Sequence, residues 1–94
     1  MDEGDVRKIL GPMLAEICQN LHKQYQIALH VEEEAELFIA HAGYNSQYGV
    51  RELRRTVEKL VQIPLSELIL ANKMEQGSRW QITQKDQELR FSIV

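Results

Sequence analysis

Apolar residues between Asp5 and about Gln24 recur in steps of three and four: Val6, Ile9, Leu10, Met13, Ile17 and Leu21. That spacing is one stripe of an amphipathic helix. Gly11-Pro12 falls inside it. Proline lacks a backbone donor and crowds the preceding turn, so the pattern predicts either a kinked helix with a loose first turn or a main helix starting at Pro12. Ile27, Leu29 and Val31 then alternate with Ala28 and His30, the pattern of a short half-buried strand. A second helical stripe follows at Ala35, Phe38, Ile39 and Ala42, and Gly43 suits a left-handed cap at its end. A third runs through Val50, Leu53, Val57, Leu60 and Val61. Pro64 is expected to end or bend that helix, with Leu65, Leu68 and Ile69 on a further short helix closing near Asn72. After Gly77, Trp80 and Ile82 alternate with polar residues, as do Leu89, Phe91 and Ile93 beyond the polar break Gln84 to Gln87. Two alternating runs around a polar break predict an antiparallel hairpin.

The order is helix, strand, three helices, two strands. So few strands must bury a face against helices, which predicts a small α+β domain of about four helices on a three-stranded sheet. Residues 1–94 read as one domain without repeat or linker.

Composition narrows the function classes. The chain is 44% hydrophobic and 27% charged, a globular balance. A net charge of −3 gives no global attraction to nucleic acid. No apolar run is long enough to span a bilayer, and the acidic start MDEGDVRK lacks the apolar core of a signal peptide. Cys18 is the only cysteine; among Leu14, Ile17 and Leu21 it reads as a buried thiol in a reducing compartment.

Most catalytic chemistry is missing. There is no G-x-x-x-x-G-K-[ST] phosphate loop, since Gly43 and Gly49 are spaced differently and no Lys-Ser/Thr follows. His22, His30 and His41 lie on different elements, without the convergent ligands that a metal needs. Glu32, Glu33 and Glu34 read as a helix start, favourable at the positive end of the macrodipole. Neither Ser46 nor Cys18 has a base near it in sequence.

The stretch that stands out is "GYNSQYGVRELRR", residues 43 to 55. Arg51, Arg54 and Arg55 could form a solvated helix face, with Arg54 placed four before Glu58 for an ion pair. Arg51, however, sits in the first helical turn, where the macrodipole disfavours a cation. An arginine kept there behind a glycine-bracketed aromatic loop is expected to be aimed at an anion, and its fork suits phosphate oxygens.

This stretch resembles the G-Y-[DN]-x-x-Y-G-A-R-x-L-[RK]-R signature of Clp/ClpB-type AAA+ unfoldases, at the sensor-2 motif of the C-terminal small subdomain. "IALHVEEEAELFIAHAGY" is similar to the strand and helix before that motif, and "VEKLVQIPLSELILANKMEQG" to the segment after it. The resemblance spans roughly Ile27 to Val94, with the first helix consistent but less diagnostic. Asn45, Ser46, Val50 and Glu52 stand where aspartate, proline, alanine and proline are commoner in the family.

The resemblance implies a lid subdomain packed over ATP that is bound by a separate large subdomain. Arg51 would be the sensor-2 arginine reaching the γ-phosphate, supported by Gly49 and Val50 in the motif. It further implies no catalytic residue and no metal within this chain alone, so no ATP hydrolysis by it in isolation. The implied partners are the adjacent large subdomain, the neighbouring protomers of a hexameric ring and, through the assembly, protein substrates. Nucleic acid and membrane are not among them. The location would be the cytoplasm, or an organelle matrix in a eukaryote. Phe91, Ile93, Ile63 and Leu65 are candidates for the apolar intersubunit patch. The alternative is a stand-alone oligomerisation or protein-interaction module that keeps the fold without nucleotide contact.

Overall fold

A computed structural model describes residues 3–44 and 49–94. Helix α1 (Glu3–Tyr25) runs through Gly11-Pro12 without interruption, so the main helix does not begin at the proline. Pro12 itself is exposed. Gln26 closes the helix with φ at 56°, its N–H donating to the His22 carbonyl at 2.8 Å. Strand β1 (Ala28–Val31) and helix α2 (Glu33–Gly43) follow. Next come α3 (Val50–Val57), a π-helical turn (Glu58–Gln62) and α4 (Ile63–Leu70). The hairpin strands β2 (Arg79–Lys85) and β3 (Glu88–Ile93) complete the chain.

The three strands lie in the order β1-β2-β3. β1 pairs with β2 in parallel, Leu29 opposite Trp80 and Val31 opposite Ile82, so the helical segment from α2 to α4 forms a crossover between them. β2 and β3 are antiparallel, with Lys85 opposite Glu88. The connecting Asp86 and Gln87 both have positive φ, 50° and 65°, the signature of a type I′ two-residue turn whose twist matches the strands.

The expectation of about four helices is corrected to three. Pro64 does not break the chain, because α3, the π turn and α4 form one continuous helix. In the turn, the Ile63 N–H donates to the Glu58 carbonyl five residues back. A step of five at this point lets the helix pass a residue that has no N–H to give. The same turn keeps the apolar stripe in the core. Leu53, Val57, Val61 and Leu65 are buried and Ile69 packs against them, each four residues after the last. On an α-helix a four-residue step overshoots a turn by about 40°, so four steps would drift by about 160° and carry the stripe out of the core. A π turn takes up one additional residue, about 100° of that drift.

The core joins this stripe to Val6, Leu10, Leu14 and Leu21 of α1, to Ile27 just before β1, and to Trp80 and Ile82 on the central strand. Leu10, Ile39, Val61 and Ile82 are fully enclosed. On α2 the buried face is Ala35, Ile39, Ala40 and Gly43, while Phe38 is half-buried and Ala42 exposed. Gly43 is therefore a contact residue inside the helix and not the left-handed cap expected of it. The cap is Tyr44 at φ −71°, ψ 122°. A Cβ on Gly43 would meet Leu53 Cδ1 at 2.8 Å and the Leu53 Cα and Thr56 Cβ at 3.3 Å. The absence of that carbon is what lets α2 and α3 approach so closely. At the other end of α2, Arg7 donates from Nε (3.2 Å) and Nη2 (3.0 Å) to Oε2 of Glu36, tying α1 to α2. Asn72, with φ at 58°, ends α4 in a Schellman arrangement: Lys73 N–H donates to the Leu68 carbonyl at 2.9 Å.

Candidate functional site

Gly49 fixes the start of the third helix. Its φ of 59° and ψ of −131° lie where a residue with a side chain is strained, so glycine is required for the chain to enter α3 in this direction. It offers no side-chain cap, and the first bond back to it, Leu53 N–H to the Gly49 carbonyl, is long at 3.4 Å. Among the described residues no side chain caps the first turn, and Glu52 is the acidic residue on it. Arg51 stands on this turn, exposed, directly after the half-buried Val50. Residues 45–48, including Asn45 and Ser46 of the loop motif, lie outside the described residues.

Arg51, Arg54 and Arg55 are all exposed, and among the described residues none of their guanidinium groups closes an ion pair or hydrogen bond. The pair expected between Arg54 and Glu58 is not formed. Both instead line a cleft of about 310 Å³ between α1 and the third helix, together with Glu16, Asn20, Val57 and Gln62. Arg54, Glu58 and Glu16 are all exposed, and an exposed i,i+4 pair gains little by closing. Arg55 lines a second cleft, of about 230 Å³, with Glu52, Thr56 and Lys59. The Thr56 hydroxyl is spent locally, donating to the Glu52 carbonyl at 2.9 Å.

The other candidates remain scattered. His22 and His41 lie in the last turns of α1 and α2, and His30 is on β1, its Nε2 3.7 Å from Glu32 Oε1. Among the described residues no three His, Cys, Asp or Glu side chains converge as a metal site would require. Glu33, Glu34 and Glu36 occupy the first turn of α2 as a helix start should. Cys18 is half-buried, and the loss of water around it pushes its thiol pKa up, away from nucleophilic reactivity.

The apolar surface candidates divide. Ile63 and Ile93 are exposed, at 49% and 64%. Leu65 is buried and Phe91 packs against the core, which corrects both. Leu70, 83% exposed, was missed. It sits in the run Leu68-Ile69-Leu70, where only the phase of the helix after the π turn tells which residue faces outward. No described helix is long and apolar enough to cross a membrane.

The family described as the C-terminal, D2-small domain of ClpB protein matches residues 1–82, which takes in α1 as well as the arginine-bearing helix. This chain belongs to the ClpB D2-small family. It is 37% identical over 68 residues to the chaperone protein ClpB of Agrobacterium fabrum, covering 72% of this chain and 8% of that protein. With ClpB of Enterococcus faecalis the identity is 32% over 87 residues, 93% of this chain and 10% of the relative. The ATP-dependent Clp protease ATP-binding subunit ClpC of Staphylococcus saprophyticus is 31% identical over all 94 residues, 11% of its length. The chain thus spans about a tenth of the length of these relatives.

Proposed function

We propose that this ClpB D2-small domain serves as the nucleotide lid of a ClpB- or ClpC-type chaperone ATPase, with Arg51 as the residue that meets the terminal phosphate of ATP. The observation that carries this reading is Arg51 itself, an exposed arginine on the first turn of α3, behind a glycine-only bend, with no partner among the described residues. A cation on the first turn that closes no pair with a carboxylate among the described residues, Glu52 of the same turn included, is poised for an anion supplied from outside the domain. The chain contributes no phosphate loop of its own. The nucleotide would therefore be bound mainly by a separate large domain, and this one would close over it. In phosphoryl transfer an arginine so placed stabilises the charge that develops on the transferring group, and rotation of the lid would pass the nucleotide state on to neighbouring protomers of a ring.

The test is a chimera in which this chain replaces the matching C-terminal segment of E. faecalis ClpB. Arg51→Ala in that chimera is expected to lower ATP hydrolysis by about a hundredfold, the usual cost of one positioned donor to developing charge. Full activity in the Arg51→Ala chimera would remove the sensor role. The isolated chain is expected to show no turnover, which a phosphate-release assay checks.

A further inference from the structure

Burial along the third helix repeats every four residues. From Leu53 to Ile69 each fourth position faces inward, and the pairs between, from Arg54-Arg55 to Ser66-Glu67, are exposed. An unbroken α-helix repeats every 3.6 residues and would lose this alignment within the helix. We propose that the π turn Glu58–Gln62 is a one-residue register insertion, held by the four-residue repeat and by Pro64, which sets the direction in which Arg51 points. The proposal rests on the reading of Arg51 as the phosphate-facing residue. Closing the turn to α geometry would press the proline ring against the Leu60 carbonyl and leave that oxygen without its donor. It would also rotate the arginine-bearing half by about 100° against the Ile63–Leu70 half. Pro64 is thereby a positioning residue for a side chain roughly 20 Å away along the helix axis, with the π turn lying between them.

Three variants separate register from mere stability: deletion of the exposed Lys59, the same deletion with Pro64→Ala, and an alanine inserted between Lys59 and Leu60. In the isolated chain, deletion of Lys59 alone forces α geometry onto the proline and is expected to lower the melting temperature by more than about 10 °C. Adding Pro64→Ala to that deletion should restore most of the loss, because a continuous α-helix then keeps the two flanks in their present directions. In the E. faecalis ClpB chimera the doubly altered chain should retain ATP hydrolysis within about threefold and still lose it on Arg51→Ala. The inserted alanine should reduce hydrolysis to the level of Arg51→Ala, with no further fall when the two are combined. If the double variant melts as low as the deletion alone, or the inserted alanine leaves hydrolysis unchanged, the proposal is wrong. Should Arg51→Ala have no effect in the unaltered chimera, the sensor reading fails, while the melting comparison still decides whether the turn is a register insertion.

Discussion

The inner and outer faces of the third helix are built on opposite rules. Inside, Leu53, Val57, Val61 and Leu65 are nearly or fully enclosed, and their spacing has reshaped the backbone into a π turn to stay enclosed. Outside, three arginines and a lysine stand in solvent with no partner among the described residues, beside the exposed Ile63 and Leu70. Packing energy fixes the first face within the domain. The second face is left uncommitted, which is what a surface completed by another molecule requires. The contrast implies that substitutions inside should change stability while those outside should change only what the domain does.

Leu53→Ala should give the largest effect. It deletes a buried side chain that also contacts Gly43, and a loss of about 2–5 kcal/mol by chemical denaturation is expected. Gly43→Ala places a carbon 2.8 Å from Leu53 Cδ1 and should cost about 1–3 kcal/mol. The two losses should add to less than their sum, because truncating Leu53 removes the shortest of the three contacts. Additive losses would show that the helices do not meet there as described.

How much of this was legible beforehand follows from what each residue type can signal. The three strands, the hairpin and the inward faces of α1 and β1 were readable, since large aliphatic residues mark them without ambiguity. The phase of α2 was not. Alanines sit on both its buried and exposed sides, and Gly43 shows its role only through the neighbour it admits. That the helix continues past Pro64, where an end or a bend is expected, was not readable, because the rule for proline in α geometry does not anticipate a π turn, although the four-residue spacing from Leu53 to Ile69 carried the hint. The candidate site was legible as a motif at Arg51. The open Arg54–Glu58 pair and the π turn further along the helix were not, since both depend on packing across the whole helix.

Gly49→Ala tests the border between the faces. The backbone at φ 59°, ψ −131° strains any residue with a Cβ, although nothing would clash with that carbon. A loss of about 1–3 kcal/mol is expected from strain alone. Chimera ATPase activity should fall along with it, because the bend also aims Arg51. If stability is unchanged, the chain can enter α3 by another route and the glycine is not required.

Arg51→Gln, Arg54→Gln and Arg55→Gln should each change stability by less than about 0.5 kcal/mol, as exposed side chains without partners among the described residues do. A larger loss at Arg54 would mean that it closes with Glu16 or Glu58 in solution, and the outer face would then be partly structural.

Cys18 offers the smallest effect and belongs to neither face, being half-buried on α1. Burial raises its thiol pKa above the ordinary 9.0, so the unfolded chain ionises first as the pH rises. Its contribution to stability is therefore complete below pH 9.0 and declines above it, as the unfolded thiolate becomes the favoured form. The wild-type chain and Cys18→Ser should show parallel stability from neutral pH to about pH 8 and diverge only above pH 9, with the wild type falling faster. In the native state the thiol should also react with iodoacetamide more slowly than a free cysteine does. A rate equal to the free thiol's, or parallel curves up to pH 10, would show that α1 leaves this position open to water and that the packed side of the domain ends before it.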